Sequence, residues 1–335
     1  MSLTRRNFIV ASGSAAAWAG SGGYSRAAEF SYKLGSPLPT SHPISARSVT
    51  AADAIRKETG GRLDIQVFAD GQLGSNSDML SQVRSGALEL FPIFGGVLNA
   101  LVPAAALINV GFVFNDYEQV WRAMDGPVHK YIQAETAKKN LTLLDRPMDS
   151  GFRHFTTTTR AIQTVEDLKG LKIRAPIAPV YSSLISALGG SPTNIQFNEL
   201  YTALQTKIVD GQENPLSIIH SNKIYEVQKY CALTNHIWDA VWISANPKAW
   251  AQLPPDLRAI AVKHFDAACL AEREDTAKLD ASLQKELEGF GLQFTKPDIA
   301  SFREHLRKGG FYASWKSKFG DDAWALLEQV VGRLA

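Results

Sequence analysis

Apolar and polar residues alternate with period two at Phe30, Tyr32 and Leu34 against Ser31 and Lys33, and again at Leu63, Ile65 and Val67. Each run predicts a half-buried strand. Between them, His42 to Thr59 has helical spacing and stops at Gly60-Gly61. The Gly-bounded loop Phe68-Ala-Asp-Gly-Gln-Leu-Gly then leads to Asn76 or Ser77 as the N-cap of a helix running through Arg84. From Leu90 to Asn115 no charge occurs, a stretch long enough to span a bilayer. Pro92, Gly95, Gly96, Asn99, Pro103, Asn109 and Gly111 interrupt it, so a buried strand followed by a short core helix is the expectation. A helix over 116–139 and a strand at Leu141–Leu144 complete this half.

The second half repeats the rhythm. Strands are expected at Phe152–Thr158 and over Leu171-Lys-Ile-Arg-Ala up to Pro176, with a one-turn helix at Val165 between them. Helices follow at 178–188, from Asn198 or Glu199 to Val209, and at 216–229, with a short edge strand at Gln212-Glu-Asn-Pro. From Pro254 to Glu288 lies the longest periodic segment, with Leu257, Ile260, Ala261, His264, Phe265, Ala268, Leu279, Leu283 and Leu287 recurring at three and four. At 1.5 Å per residue it reaches about 50 Å, longer than one domain is wide, which predicts a helix bracing two lobes. Alternating strands and helices place the chain in the α/β class.

Length and composition agree with this picture. The chain has 335 residues, 45% hydrophobic and 20% charged, which excludes disordered, collagenous and disulfide-scaffold classes and leaves room for two lobes. The formal net charge is +2, and the scattered Lys and Arg form no stripe suited to nucleic acid. That small excess sits in the first residues. Arg5 and Arg6 precede a mildly apolar stretch over 8–19, and Ser25 and Ala27 put small residues at −3 and −1 of a cut. The order Thr4-Arg5-Arg6-Asn7-Phe8-Ile9 resembles a twin-arginine export signal, so 1–28 is read as a signal peptide. Its removal takes away Arg5, Arg6 and Arg26 and no acid, leaving 32 basic against 33 acidic residues. Cys231 and Cys269, the only cysteines, are expected to be buried, inert thiols.

Catalytic signatures are missing. No G-x-S-x-G elbow, phosphate-binding P-loop or H-E-x-x-H helix occurs, and the seven His are widely spaced. No cofactor or metal is expected. Two arginines stand out instead. Arg153 lies among Phe152, Phe155 and a Thr run, and Arg174 ends a strand between Ile173 and Ala175-Pro176. An Arg in such a setting snorkels, pairs with an internal acid, or is presented to a ligand anion, and the pattern leaves all three open.

Three segments, in order after an export signal, carry a resemblance. They are Phe68-Ala-Asp-Gly-Gln-Leu-Gly-Ser, Asp167-Leu-Lys-Gly-Leu-Lys-Ile-Arg-Ala-Pro, and Phe197-Asn-Glu-Leu-Tyr-Thr-Ala-Leu-Gln-Thr-Lys-Ile-Val-Asp-Gly-Gln-Glu-Asn-Pro. Together they resemble the solute-binding subunit of tripartite ATP-independent periplasmic (TRAP) transporters, the DctP-like family. The resemblance implies a type II-like, two-lobe periplasmic binding protein fold with crossing strands and a long brace helix. Lobe I would comprise 29–150 plus about 240–278, and lobe II 151–239 plus about 279–335. It further implies a monomeric, non-enzymatic receptor in the periplasm of a Gram-negative bacterium, delivering a small organic carboxylate to a small four-helix and a large multi-helix membrane subunit.

Carried over by motif, Arg174 would make the bidentate salt bridge to the ligand carboxylate. Arg153 would assist, Asn214 would hydrogen-bond the same carboxylate, and Phe197 would pack on the ligand body. Phe91, Pro92, Ile93, Phe94 and Ile177 are apolar where sialic-acid-type relatives are expected to offer polar groups, and Trp238 and Trp242 near the return crossing add aromatic surface. The expected ligand is therefore a carboxylate with an apolar or aromatic body, a uronate or C4-dicarboxylate being the alternatives. His42, Gln72 and Asn76 are candidate polar lining.

Overall fold

The computed structural model describes residues 27–334, so nearly all of the expected signal peptide lies outside the described residues. The chain opens with β1 (Phe30–Gly35), α1 (Pro43–Glu58), β2 (Leu63–Phe68), α2 (Asn76–Ser85), β3 (Leu90–Phe94) and α3 (Gly95–Asn99). It continues through α4 (Tyr117–Met124), α5 (Pro127–Ala137), β4 (Thr142–Phe152), β5 (His154–Thr157), β6 (Lys172–Ala175), α6 (Pro179–Ala187) and β7 (Ser191–Asn194). Then come α7 (Leu200–Gln205), β8 (Gly211–Asn214), α8 (Leu216–Ser221), β9 (Tyr230–Ala232), β10 (Trp238–Ala245), α9 (Pro247–Gln252) and α10 (Pro255–Gly289). The chain closes with β11 (Gln293–Thr295), α11 (Ile299–Lys308), α12 (Phe311–Phe319) and α13 (Asp321–Val331).

Two sheets result, ordered β2-β1-β3-β10-β4 and β11-β9-β5-β8-β6-β7. In the first, β1 runs parallel to β2 and β3, while β10 enters antiparallel between β3 and β4. Two extended crossings join the sheets, from β4 to β5 through Arg153 and from β9 to β10 through 233–237, and α10 then returns the chain to β11 of the second sheet. The crossings remain paired, with Arg153 N–H donating to Ile237 O at 2.8 Å and His236 N–H to Arg153 O at 3.3 Å.

The charge-free block resolves into β3 and α3, and no helix among the described residues is long and apolar enough to cross a membrane. All of β3 is buried, and its alternation splits it: Phe91 and Ile93 join one apolar cluster, Leu90 and Phe94 the other. The helix expected over 116–139 is two helices, because Pro127 cannot supply the N–H that an unbroken helix needs there. The one expected over 216–229 ends at Ser221, and Lys223 turns the chain in the left-handed region at φ 52°. Cys231 and Cys269 are free and buried, and burial pushes both thiols up.

Helix α10 has 35 residues and a buried stripe of Leu257, Ala261, Phe265, Ala268, Leu283 and Leu287. Lys263 and Arg47–Asp275 tie it to α1, through Glu58 at 2.8 Å and by the Arg47 bond at 2.6 Å; His220–Glu286 at 2.9 Å ties its far end to α8. It therefore touches elements on both sides of the crossings. The C-terminal helices depart from the expected assignment of 279–335 to lobe II. Although α11 packs on the 165–168 turn, α12 and α13 lie against the 103–109 turn, α4 and α5. Trp315, Trp324 and Leu327 share an apolar cluster with Leu107, Val120 and Val128, and Tyr312 OH donates to Gly111 O at 3.1 Å.

Beside the crossings, α10 and β4 bury three carboxyl groups. Glu272 accepts the Asp149 N–H at 2.7 Å, Asp149 Oδ1 accepts from Trp238 Nε1 at 2.8 Å, and Asp280 Oδ1 has no partner among the described residues. Gly151, at φ +96°, has its missing Cβ position 3.7 Å from Asp280 and 3.2 Å from Pro215, so a larger residue would be strained there. Burial, then the neighbouring Asp149, pushes Asp280 up to about 7, and burial pushes Asp149 up to about 6 and Glu272 well above its ordinary range. Asp280 therefore prefers its proton in the fold. Its contribution to stability is complete below the ordinary carboxylate pKa near 4 and is lost as pH rises through about 7. Asp280→Asn, which mimics the neutral form, should gain on the parent by about 2 kcal/mol between pH 5 and pH 8. Paired thermal melts at the two pH values measure this; a gap independent of pH would show that Asp280 is ionised in the fold.

Candidate functional site

Between the two sheets lies a cleft of about 410 Å³ of empty space. Its walls join residues of both halves: Leu38, Asn76, Phe94, Gly96, Val97 and Asp239 from one, and Arg153, Arg174, Pro176, Tyr181, Phe197, Asn214 and Ile218 from the other side and the crossing. Strand β6 positions Arg174. Ile173 anchors the strand in the core opposite Gly211 of β8, and the following Arg174, opposite Thr193 of β7, turns the other way into the cleft.

Two buried arginines sit side by side here in different states. Arg153 is bidentate to Glu213, Nε to Oε2 at 2.5 Å and Nη2 to Oε1 at 2.8 Å. Its Nη2 also reaches Glu213 O at 2.7 Å and Asn214 Oδ1 at 3.0 Å, and its guanidinium lies 5.1 Å from the Tyr181 ring centroid. Burial would raise the Glu213 carboxyl, but Arg153 beside it holds it below its ordinary value. Arg174 has no such partner. It is 3% exposed, donates from Nε to Ile195 O at 2.9 Å, and has no acidic residue bonded to it among the described residues. Burial, with repulsion from Arg153 and partial relief from Glu213, draws it down to about 10. The guanidinium stays charged at neutral pH.

The remaining polar groups are mostly committed. Asn214 accepts at Oδ1 from Arg153 Nη2 and donates from Nδ2 to Gln212 Oε1 at 2.5 Å. Asp239 accepts from Tyr181 OH at 3.1 Å, Asn109 Nδ2 at 3.0 Å, its neighbour Ala240 N–H at 3.0 Å and Gly96 N–H at 3.5 Å. The Tyr181–Asp239 bond joins α6 to β10 across the back of the cleft. Only glycine fits at position 96, because a Cβ there would stand 2.9 Å from the Tyr181 ring. At the mouth, Gln196 Nε2 donates to Ser77 Oγ at 2.7 Å. Asn76 contributes an Oδ1 with no partner among the described residues.

Six of the candidates from the sequence therefore share one cavity: Arg174, Arg153, Asn214, Phe197, Phe94 and Asn76. Ile177, 46% exposed, lines an adjoining outer pocket with Leu80 and Gln196. Three candidates lie elsewhere. His42 is the N-cap of α1, its Nδ1 accepting from Ile44 N–H, and it lines a separate crevice against Ser217 and Leu279. Gln72 is exposed in the turn after β2. Trp238 is committed to Asp149 and packs against Phe114 and Trp121, while Trp242 stacks on His129. Phe91 and Ile93 are core, not lining. Glu213, Tyr181 and Asp239 were not singled out by the sequence reading. A lone acid inside the apolar run Ile237–Ile243 was the available signal for Asp239.

Residues 34–309 match the model of the DctP family, described as bacterial extracellular solute-binding protein family 7. Among relatives, the sialic acid-binding periplasmic protein SiaP of Vibrio cholerae is 31% identical over 285 residues, 85% of each chain. A TRAP periplasmic solute-binding protein of Polaromonas bound to D-erythronate superposes with a TM-score of 0.85 at 30% identity, covering 89% of this chain and 98% of the other. One from Sulfurospirillum deleyianum with bound succinate has the same fold, with a TM-score of 0.85 at 24% identity over 90% of this chain and 98% of that one.

Proposed function

The chain belongs to bacterial extracellular solute-binding protein family 7, the solute receptors of TRAP transporters, and from that premise we propose that Arg174 grips the carboxylate of a small organic acid in the interlobe cleft. The observation that carries the assignment is the difference between the two buried arginines. Glu213 neutralises Arg153, whereas Arg174 is a buried fork with no acid to fill it, and that fork matches a carboxylate bidentately. Arg153 is then a scaffold: it fixes Asn214 and supports the electrostatics of the clamp. Asn214 retains one amide hydrogen for the ligand, and Phe197 covers its body.

Charge-assisted hydrogen bonds are worth about 1.5–3 kcal/mol each, and micromolar affinity needs about 8 kcal/mol. Closure of the cleft on the ligand body supplies the remainder. The surfaces available to that body, Leu38, Phe94, Val97, Pro176 and Ile218, favour a compact and largely apolar one. One observation favours a short hydroxy acid instead: the unpartnered Asn76 Oδ1, which would accept a hydroxyl, together with the D-erythronate-bound relative. Export through residues 1–28 would place the receptor in the periplasm as a monomer, where it passes its ligand to the small and large membrane subunits without chemical change.

A thermal-shift panel followed by calorimetry tests the ligand reading. Short aliphatic or aryl monocarboxylates and short hydroxy acids should raise the melting temperature by several degrees. Shifts confined to hexuronates would overturn the compact-body assignment.

A further inference from the structure

The charges around the cleft carry a narrower statement. Among the described residues lining the main cavity and the two pockets adjoining it, the cations are Arg153 and Arg174 alone. Arg153 is already matched by Glu213 through two side-chain bonds. The other ionisable acids on these walls are Asp239 in the main cavity and Asp70 in the neighbouring pocket. One unpaired positive charge therefore faces the ligand, and no Lys or His among the described residues lines any of the three spaces.

A carboxylate held by Arg174 satisfies that charge. A second carboxylate on the far end of a short body would face Leu38, Phe94, Val97 and Ile218, or approach Asp239, whose oxygens already take four donors. An ionised carboxylate desolvated without a partner loses far more than one hydrogen bond returns. Building on the reading that Arg174 holds a carboxylate, we infer that this receptor selects singly charged organic acids and rejects dicarboxylates of the same length.

The fold itself does not impose this, since the succinate-bound protein shares it; the residues on these walls do. Matched pairs make the test: butyrate against succinate, D-erythronate against tartrate, and gluconate against glucarate, by calorimetry at pH 7.5 with competition for the weak members. The acid released on denaturing freshly purified protein is identified in parallel by mass spectrometry. The singly charged member should bind at least about 100-fold more tightly, and a co-purified acid should carry one carboxyl group. A dianion within tenfold of its partner, or a co-purified dicarboxylate, would overturn the inference. The underlying reading fails separately: its signature is binding that survives Arg174→Ala, whatever the ligand's charge.

Discussion

Arg174→Ala should lose carboxylate binding by about 10²- to 10⁴-fold, the equivalent of two charge-assisted hydrogen bonds at about 1.5–3 kcal/mol each. The ligand-free protein should melt within about 2 °C of the parent. That combination follows from the state of the side chain. Its guanidinium is buried with one bond, to Ile195 O, and burial draws it down to about 10, so it is a desolvated charge whose removal costs the fold little. Arg174→Lys should also lose more than about 100-fold, because an ammonium offers a point charge where a carboxylate needs a planar fork. Calorimetry and thermal melts on the same samples decide the matter. Micromolar binding by Arg174→Ala would move the clamp to another residue, and a melting temperature lowered by many degrees would make Arg174 structural.

The two arginines also mark where sequence reading stops. Each is an arginine with apolar residues near it in an expected strand, and the local pattern gives both the same three options. What separates them is Glu213, 60 residues from Arg153, which reaches it only because β5 pairs antiparallel with β8 and sets His154 opposite Asn214 and Phe155 opposite Glu213. A long-range register is not written in either segment alone. The third similar segment, ending in Gln-Glu-Asn-Pro, pointed to Asn214 and passed over the acid beside it.

Strand alternation explains the other displaced candidates. Trp238 drew attention as aromatic surface, yet the cleft receives its neighbour Asp239, and Trp238 faces Asp149 at the crossing. Phe91 and Ile93 fail in the same way, three positions and one position from Phe94, which does line the cavity; both are odd steps along the strand. Periodicity identified β3 and α10 because burial on both faces, or along a 35-residue stripe, leaves a long signal. The short β9, α9 and β11 gave none. The return of α12 and α13 to the first half is set by packing among Trp315, Trp324 and Leu107, which no helical pattern can assign to a partner.

Glu213→Gln should be the reverse of Arg174→Ala: a large loss of stability with the clamp arginine still in place. Glu213 is 1% exposed and answers a guanidinium that is 3% exposed, through bonds of 2.5 and 2.8 Å. Removing one partner of a buried pair leaves an uncompensated charge and typically costs about 3–5 kcal/mol. In a chain of this size that is roughly 6–10 °C in melting temperature. Nor can His236, bonded to Glu213 Oε2 at 3.2 Å, supply a substitute, since an imidazole offers no negative charge to answer the guanidinium. Replacing both members, Arg153→Met with Glu213→Leu, should cost less than Glu213→Gln alone, because no charge is then stranded. Freeing Arg153 also adds a second unpaired cation to the cleft, so the penalty against dicarboxylates should shrink in Glu213→Gln while the monocarboxylate affinity changes little. Thermal melts at matched pH with calorimetry on one matched acid pair test both halves. A melting temperature within about 2 °C of the parent would mean that Arg153 is compensated elsewhere, and unchanged discrimination would separate ligand charge selection from the arginine count.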